Sequence, residues 1–396
     1  MKFRTIPPVG NRIPIKNIFK ALVSGKRTEE ENTQKPISLA FDTGSAALLF
    51  LLRRLKENHP DKAQVIVPVY TCYSIAAVVE YAGLEIVLCD LDPSTLDFNY
   101  TELERCISAS TICIISTHFF GRKTSLEKLA YIKNRHDIVV IEDVAQGGYT
   151  TESLNTVSDY IVTSTGRGKP VSTMGGGYLI TRQDNENITL LLSDYSQLES
   201  PSKLAGLIII VKIMLVNILL NPYLYTIPFS IPFFRLGETI YPDSIKLTKL
   251  TLFQQKLLAY QNSINTSAKR TYHAVVYTKY VNNNCMNMPE LTQAELNEYA
   301  PVRFPIYLNT DFNKLPAFIV KKLNKYGAVS MYPQLLSDLD RVKLFSSSQN
   351  KKYPGGEHIV NKLITLPTHT LLKKQDLEEI RALLNTICQQ DINEKN

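Results

Sequence analysis

The sequence lacks the marks of several large protein classes. Its six cysteines are widely spaced and form no CxxC pair, so neither a zinc site nor a disulfide framework is expected. The chain has no zinc-finger spacing, no basic-leucine-zipper repeat, no aromatic RNA-binding motif and no internal repeat. We therefore expect neither a metal nor nucleic acid as a partner. The cysteines are Cys72, Cys89, Cys106, Cys113, Cys285 and Cys388.

The amino terminus also lacks an export signal. The chain begins MKFRTIPPVGNRIPIKNIFK, which contains no long apolar core of the kind found in signal peptides. Several of the cysteines lie within apolar runs, as reduced core residues do. These two observations predict a cytoplasmic protein.

Length and composition are those of a globular protein. With 396 residues, the chain can bury a substantial core and form one large domain with a smaller one. Its 44% hydrophobic and 20% charged content excludes a disordered chain. The net charge of +7 would suit anionic partners such as nucleotide diphosphates or lipid headgroups, but scattered basic charge is also the surface of many soluble proteins.

The region from Ile138 to Ile180 organises the chain. One apolar, β-branched run ends at Asp143, a second ends near Ser164, and Lys169 follows in a loop flanked by glycines. Short buried strands with polar residues at their carboxyl ends are typical of the binding edge of an open α/β sheet. The pattern predicts an α/β fold with its site at this edge and Lys169 at the chemical centre.

Lys169 has a specific chemistry open to it. A lysine amine that is shielded from water can lose its proton near neutral pH and attack an aldehyde carbon to form a Schiff base. If that aldehyde is pyridoxal phosphate, its ring nitrogen needs an anionic partner, and Asp143 is of the right residue type. On these residues alone, a surface lysine and an ordinary strand-end aspartate remain the alternative.

Other segments extend the predicted sheet. Residues 41–55 change from a small-residue turn to an apolar-periodic helix, and Gly44 at its start allows a phosphate to approach the free N–H groups; a plain helix N-cap is the alternative. Residues 65–89 read as strand, helix and strand, which is a βαβ unit. Thr111 to Ser116 form a further buried strand that leads to His118, where a histidine is more often structural than catalytic.

Six segments together resemble one protein family. They are DTGSAAL (42–48), VIVPVYTCYS (65–74), CDLDP (89–93), HFFG (118–121), EDVAQ (142–146) and STGRGKPVSTMGGG (164–177). In this order and spacing, over about residues 5–385, the chain resembles the DegT/DnrJ/EryC1/StrS sugar aminotransferases, especially the branch with a GRGKP loop. The resemblance implies a pyridoxal-phosphate-dependent transferase of fold type I. Such a protein has a large domain with a mostly parallel seven-stranded sheet between helices, and a small α+β domain at the carboxyl terminus.

The resemblance also implies roles for individual residues. Lys169 would hold pyridoxal phosphate and move the proton during transamination, and Asp143 would pair with the ring nitrogen. Gln146 would contact the phenolic oxygen of the ring or the substrate. The residues expected to hold the cofactor phosphate are Gly44, Ser45 and Ser164.

Two secondary candidates come from the same comparison with the family. Cys72 stands where the family usually has an aromatic residue over the cofactor ring, so Tyr73, one place on, is the candidate for stacking. A core aromatic is the alternative for Tyr73. His118 corresponds to a residue that lines the active site in the family.

The chain departs from the family pattern in two places. The family commonly has Gly-Glu-Gly-Gly after the lysine, whereas Met174 and Gly175 stand in the first two positions here. The asparagine and arginine that often reach the cofactor phosphate from a second subunit are replaced around Ser244 and Lys246.

A hydrophobic insertion over about residues 204–236 is the least ordinary part of the sequence. Its first part, LAGLIIIVKIMLVNILL, is at the lower length limit for spanning a bilayer, and Lys212 and Asn217 interrupt it. Its leucine, isoleucine and valine residues favour insertion by roughly 5 kcal/mol, which a central lysine and asparagine largely cancel. Three interpretations remain: a helix packed in the protein or a dimer interface, a helix lying in a membrane surface with Lys203, Lys212 and Arg235 toward headgroups, and a spanning helix.

The function predicted from these observations is amino transfer to a sugar. We expect a homodimeric, pyridoxal-phosphate-dependent aminotransferase that moves an amino group, with glutamate as the expected donor, to a nucleotide-linked keto sugar in surface polysaccharide or glycan biosynthesis. Residues 1–262 are predicted to form the large domain and residues 263–396 the small one. The location is cytoplasmic, with the inner membrane face as an open alternative.

Two rival functions remain open at this stage. The first is another pyridoxal-phosphate reaction on the same fold, such as elimination or amino-acid transamination. The second is a non-catalytic, membrane-associated protein that binds the cofactor without turning it over.

Overall fold

The fold is built on one mixed sheet with helices packed against it. It is described here from a computed structural model, which describes residues 4–25, 36–147, 154, 157–229, 239–261, 263–282, 286–348 and 351–395. The strands are β1 (Ile37–Phe41), β2 (Gln64–Pro68), β3 (Glu85–Cys89), β4 (Leu91–Asp92), β5 (Asp97–Phe98), β6 (Thr111–Thr117), β7 (Val139–Asp143), β8 (Tyr160–Ser164), β9 (Gly177–Thr181), β10 (Arg303–Tyr307) and β11 (Leu363–Pro367).

The predicted seven-stranded, mostly parallel sheet is present. Its strand order is β1-β9-β8-β7-β6-β2-β3. The five strands from β8 to β3 pair in parallel, and β9 runs antiparallel to both β1 and β8. The remaining strands form two antiparallel pairs, β4 with β5 and β10 with β11.

The central strands are hydrophobic because both faces of the sheet are covered. Every residue of β6 is buried, as are the last four residues of β7. Strands of this kind read as continuous apolar runs without polar alternation. This is why the runs ending at Asp143 and Ser164 could be identified as strands from the sequence.

Fifteen α-helices cover the sheet and build the carboxyl-terminal part of the described chain. They are α1 (Ile15–Val23), α2 (Gly44–Asn58), α3 (Tyr73–Tyr81), α4 (Tyr100–Cys106), α5 (Leu126–His136), α6 (Ile188–Gln197), α7 (Lys203–Leu219), α8 (Thr226–Phe229), α9 (Leu252–Tyr260), α10 (Ser263–Asn282), α11 (Gln293–Glu298), α12 (Ala317–Lys325), α13 (Asp340–Lys343), α14 (Pro354–Lys362) and α15 (Lys374–Lys395).

Two large apolar clusters divide most of the core. One surrounds the seven-stranded sheet, and the other joins α10, α12 and α15 to the β10–β11 pair. Ile6 packs in the second cluster, and its backbone N–H bonds to the carbonyl of Lys325 at 2.8 Å. The amino-terminal segment therefore lies against the carboxyl-terminal part of the chain. The domain boundary at residue 262 stays a prediction.

Helix α7 contains the start of the hydrophobic insertion. Of its residues only Ile213 is fully buried, in a small cluster shared with α1 and α9. Among the described residues, no helix has both the length and the apolar content required to cross a membrane. Residues 230–236 of the predicted insertion lie outside the described residues.

Candidate active site

A cavity of about 420 Å³ opens where the central parallel strands end and α2 begins. Asp143 closes β7, opposite Thr117 in β6 and Val162 in β8, so the ends of three adjacent strands meet there. Most of the residues predicted for the site line this one cavity. They are Gly44, Ser45, Asp143, Gln146, Ser164 and Lys169.

The carboxyl group of Asp143 is almost completely buried. Burial raises its pKa, while the positive charge of Lys169 and a hydrogen bond from the backbone N–H of Ala145, at 3.0 Å, act in the opposite direction. A buried carboxylate is costly unless a cation or hydrogen-bond donors compensate it. Asp143 is therefore suited to pair with a protonated ring nitrogen brought into the cavity.

Lys169 lies on a loop whose backbone is tied down at several points. Its own N–H bonds to the carbonyl of Gly166 at 3.3 Å, and the buried guanidinium of Arg270 donates to the carbonyl of Pro170 at 2.6 Å. Farther along the loop, the Gln261 amide donates to the carbonyl of Ser172 at 3.0 Å. The ε-amine of Lys169 has no hydrogen-bond or ion-pair partner within the described part of the chain. The loop is thus held while its amine stays available to a ligand.

A second set of bonds shapes the end of the same loop. The hydroxyl of Thr165 donates to the carbonyl of Gly175 at 2.8 Å, and the hydroxyl of Thr173 donates to that carbonyl at 2.7 Å. Gly176 has a φ of +105°, and a Cβ there would lie 2.3 Å from the Thr165 hydroxyl oxygen. Only glycine fits this position. Gly175, which stands where the family commonly has glutamate, is therefore part of a tightly closed turn.

The start of α2 and the end of β8 approach each other closely. Thr43 caps α2, because its hydroxyl accepts the N–H of Ala46 at 3.0 Å. A Cβ on Gly44 would lie 3.3 Å from the Cβ of Ser164, so the backbone of Gly44 and the Ser164 hydroxyl face the same small space. A helix start with free N–H groups, a glycine and a serine is a seat for a phosphate.

Gln146 is anchored at both ends of its amide. Its carbonyl oxygen accepts the backbone N–H of Phe120 at 3.0 Å, and its nitrogen donates to the hydroxyl of Tyr332 at 3.1 Å. Tyr332 comes from the carboxyl-terminal part of the chain and lines the cavity. Gln146 thus links the strand-end loop after β7 to the opposite wall of the cavity.

Two threonine hydroxyls in the cavity have no hydrogen-bond partner among the described residues. Thr71 Oγ1 and Thr117 Oγ1 are buried and make no hydrogen bond with any described residue. Buried hydroxyls are normally satisfied, since leaving one unpaired is costly. Together with the Gly44 seat, these orphan hydroxyls indicate that the cavity is shaped for a polar ligand, and the residues present fit pyridoxal phosphate.

The prediction for Tyr73 is not supported by its position. Tyr73 is the first residue of α3, its side chain is buried in the core around the sheet, and its hydroxyl lies 3.5 Å from the carbonyl of Gln334. It does not line the cavity, whereas its neighbour Cys72 does. The alternative of a core aromatic is the one that the structure supports, because the first turn of α3 directs this side chain inward.

The prediction for His118 is corrected in the same way. Its Nε2 lies 2.8 Å from the carboxylate of Glu142, which is fully buried. Glu142 and Asp143 are adjacent on β7, and adjacent side chains of a strand point to opposite faces of the sheet. His118 is therefore on the Glu142 side, and it does not line the cavity.

One wall of the site has no signal in the sequence. Thr239, Ile240, Met331 and Tyr332 line the cavity, and the hydroxyl of Thr239 donates to the carbonyl of Met331 at 3.2 Å. None of these residues lies in a strand or helix of the described chain, so no periodic pattern marked them. No group of histidine, cysteine and acidic side chains suited to a metal occurs among the described residues.

A larger cavity of about 1130 Å³ lies elsewhere and contains none of the predicted site residues. Its acidic side chains are already satisfied: Asp90 accepts the N–H groups of Gly355 and Gly356, and Asp97 accepts the hydroxyl of Tyr100. The larger cavity also has two buried nitrogens on Arg122 that are unpaired within the described chain. The smaller cavity brings two unpaired hydroxyls together with the Lys169 amine, the buried Asp143 carboxylate and the start of α2. It is therefore the better candidate for the chemistry despite its size.

Comparison with known proteins shows a partial match to one family. Residues 30–198 match the DegT/DnrJ/EryC1/StrS aminotransferase family. The chain is 31% identical over 129 residues to a pleiotropic regulatory protein of Geobacillus stearothermophilus, covering 31% of this chain and 34% of that protein. It is 29% identical over 151 residues to GDP-perosamine synthase of Caulobacter vibrioides, covering 37% of this chain and 40% of that enzyme. The matched part thus spans about a third to two fifths of these relatives.

A solved structure extends the similarity in fold over almost the whole chain. It is that of Helicobacter pylori PseC, an aminotransferase involved in the biosynthesis of pseudoaminic acid. The TM-score is 0.71 at 17% sequence identity, over 98% of this chain and 100% of that one. The predicted fold class is confirmed.

Proposed function

We propose that this chain, whose residues 30–198 match the DegT/DnrJ/EryC1/StrS aminotransferase family, is a pyridoxal-phosphate-dependent sugar aminotransferase. The observation that carries this proposal is the meeting of Lys169, Asp143 and the Gly44–Ser164 phosphate seat in one cavity. These residues are far apart in the sequence and carry three different chemical functions. The stability of the fold alone does not require these residues to meet in one cavity.

Lys169 and Asp143 are the proposed catalytic residues. When bound, pyridoxal phosphate supplies an aldehyde for amine exchange and a ring that withdraws electrons from the reacting carbon. The ε-amine of Lys169 would hold the cofactor and, once released, would take and return the proton at the substrate carbon. The carboxylate of Asp143 would keep the ring nitrogen protonated, because this buried carboxylate needs a positive partner at the end of β7.

The remaining lining residues would hold and orient the cofactor. Gly44, Ser45 and Ser164 bind its phosphate at the start of α2, and the orphan hydroxyls of Thr71 and Thr117 donate to its polar groups. Gln146 acts as a positioning residue, because its amide already bonds to the backbone of Phe120 and to Tyr332.

The proposed acceptor is a nucleotide-linked keto sugar and the proposed donor is glutamate. Support comes from the name of one relative, GDP-perosamine synthase, and from the family match. We also propose that the protein acts in the cytoplasm as a homodimer. The homodimer is proposed from the family resemblance, since Ser244 and Lys246, both exposed, replace the residues that reach a second subunit in the family.

A second candidate function rests on a different relative. One relative, matched over 129 residues, is named a pleiotropic regulatory protein. A cofactor-binding regulator would keep the phosphate seat but would not require proton transfer by Lys169. Substitution of Lys169 therefore separates the two functions.

The test is substitution of Lys169. We expect Lys169→Ala, and equally Lys169→Arg, to abolish the cofactor absorbance near the visible edge and to lower amino transfer from glutamate to a panel of nucleotide-linked keto sugars by more than about 10³-fold. Borohydride reduction of the wild-type protein, followed by peptide mapping, should locate the cofactor on Lys169. The exposed Lys352, changed to alanine, serves as the control.

Two results would contradict the proposal. Undiminished turnover in Lys169→Ala would remove Lys169 from the chemistry. A wild-type protein that binds the cofactor covalently but transfers no amino group to any keto sugar would favour another reaction or the regulatory function.

A further inference from the structure

The surface of α7 is unusually apolar for a helix in contact with water. Six of its residues along one side are between 50% and 63% exposed. Scattered exposed hydrophobic residues are ordinary, but a contiguous row of large ones marks an interaction surface. The six residues are Leu204, Leu207, Ile208, Val211, Leu215 and Ile218.

The protein uses only a narrow strip of this helix for its own packing. Ile213 is buried, and Ile209 and Val216 are partly buried against α1 and α9. These positions recur every three or four residues, so they form one stripe along the helix. The opposite apolar side makes no comparable contribution to the core.

Helix α1 has the same character. Ile15, Phe19, Leu22 and Val23 are between 52% and 72% exposed, while Ile18 and Ala21 are buried. The exposed residues again follow helical spacing and give α1 an apolar outer stripe. Lys16 and Lys20 stand next to this stripe and are exposed.

The two helices are neighbours in the fold. The side-chain amide of Asn217 in α7 accepts the backbone N–H of Ile13 at 2.9 Å and donates to the carbonyl of Ile13 at 2.8 Å, just before α1 begins. Ile18 and Ile213 belong to one apolar cluster. We name the exposed residues of α1 and α7 together the α1–α7 surface.

The charge of the α1–α7 surface has one sign. The described residues 10–25 and 200–229 contain no aspartate or glutamate. Their basic residues are all exposed, and none makes an ion pair with another described residue. They are Arg12, Lys16, Lys20, Lys203 and Lys212.

We propose that the α1–α7 surface binds a membrane that contains anionic lipids, with both helices lying in the plane of the headgroups. Exposed apolar side chains enter the acyl boundary, and long lysine side chains extend to phosphate groups at the same depth. A bilayer with anionic headgroups supplies both the apolar phase and the negative charge that this surface lacks. The proposal does not depend on the reaction at Lys169.

A second copy of this chain fits the surface less well. A symmetric dimer pairs the same patch of both subunits, so it would bring basic residues against basic residues with no acidic partner in the patch. A bilayer has no such conflict.

The experiment is flotation of the purified, cofactor-loaded full-length protein with lipid vesicles. One set contains phosphatidylcholine alone, and the other also contains phosphatidylglycerol. We expect stronger binding to the anionic vesicles and release by high salt. Removing three charges, in Lys16→Gln/Lys20→Gln/Lys212→Gln, should weaken this binding about a hundredfold, since each basic residue contributes about fivefold.

Apolar contact is tested separately. The variant Val211→Glu/Leu215→Glu should lose binding to anionic vesicles, because two carboxylates would have to enter the interface. Two controls lie outside the α1–α7 surface. They are Leu344→Glu, at an 86% exposed leucine directly after α13, and Lys321→Gln on α12. Both variants should bind vesicles as the wild type does. Cofactor absorbance shows that each variant is folded.

Three outcomes would overturn the proposal. The first is a wild-type protein that floats with neither vesicle. The second is unchanged vesicle binding by Val211→Glu/Leu215→Glu. The third is a wild-type dimer that binds no vesicle and that becomes a monomer in Val211→Glu/Leu215→Glu, as measured by light scattering. That result would show that the surface joins two copies of the chain.

Discussion

At the scale of single residues, the cavity combines satisfied and unsatisfied polar groups. The hydroxyls of Thr165 and Thr173 bond within the loop, whereas those of Thr71 and Thr117 have no partner among the described residues. A satisfied hydroxyl contributes to folding, and an unsatisfied buried one is a cost that a ligand can relieve. The two kinds of threonine should therefore respond differently to the same substitution.

Replacing threonine with valine tests this difference. In the cofactor-free protein, Thr117→Val should leave the free energy of unfolding unchanged or raise it, while Thr165→Val should lower it by about 1–3 kcal/mol because a bonded partner is lost. Binding of pyridoxal phosphate should weaken about tenfold in Thr117→Val, since one hydrogen bond to a charged ligand is removed. Urea unfolding and absorbance titration measure the two effects. Equal loss of stability in both variants would show that Thr117 is a structural residue.

Two single residues show that a position in a motif does not fix the direction of a side chain. Tyr73 follows Cys72, and His118, just after β6, donates its backbone N–H to the carbonyl of Asp143, yet of these four residues only Cys72 and Asp143 line the cavity. One step along a strand or around a helix turns a side chain to another face. A motif gives the position in the chain, but it does not give the direction of the side chain.

At the scale of elements, the site depends on the contact between α2 and β9. A Cβ on Gly177 would lie 2.3 Å from both N and Cα of Gly44, so the two backbones touch at the phosphate seat. Glycine is required at position 177 because a side chain there would collide with Gly44, and not because of an unusual backbone φ angle. Any side chain at position 177 has to push the start of α2 away from β8 and β9.

We predict that Gly177→Ala damages both stability and cofactor binding. The free energy of unfolding should fall by about 1–3 kcal/mol from overpacking, and the affinity for pyridoxal phosphate should fall because Gly44 is displaced. The control is Gly206→Ala in α7, where the added Cβ makes an ordinary 4.0 Å contact with Phe253. That change should stabilise by up to about 1 kcal/mol, as alanine does in a helix. Similar losses in both variants would mean that the close contact is not what matters.

At the scale of the whole molecule, the first residues of the described chain connect the carboxyl-terminal part to the site. The buried guanidinium of Arg303 donates to the carbonyl of Pro8, and Nε2 of His369 lies 2.7 Å from the carbonyl of Pro7. Val9 then packs against Gly168, beside Lys169, where an added Cβ would lie 2.8 Å from it. The segment around Pro7 therefore supports the lysine loop from the far end of the sequence.

This support predicts a dependence of stability on pH. Burial lowers the pKa of His369 to about 4, below its ordinary value of 6.5, so the folded state holds the neutral ring. Below pH 6.5 the unfolded state binds more protons, and stability falls as the pH approaches 4, by about 3 kcal/mol in total from this group. His369→Gln should flatten that part of the curve in urea unfolding, whereas His59→Gln should not. Identical pH curves for the wild type and His369→Gln would refute the prediction.

The sequence by itself determined the ends of the central strands, the start of α2 and the glycine-flanked lysine loop, because continuous apolar runs and glycine positions are local properties that the chain shows directly. It also predicted the hydrophobic insertion, but not that α7 would bury only one stripe. Tertiary structure alone decided which face Tyr73 and His118 present, and which distant residues, such as Tyr332 and Thr239, complete the cavity. These outcomes depend on how separate elements pack, and packing is set by contacts between residues that no local pattern connects.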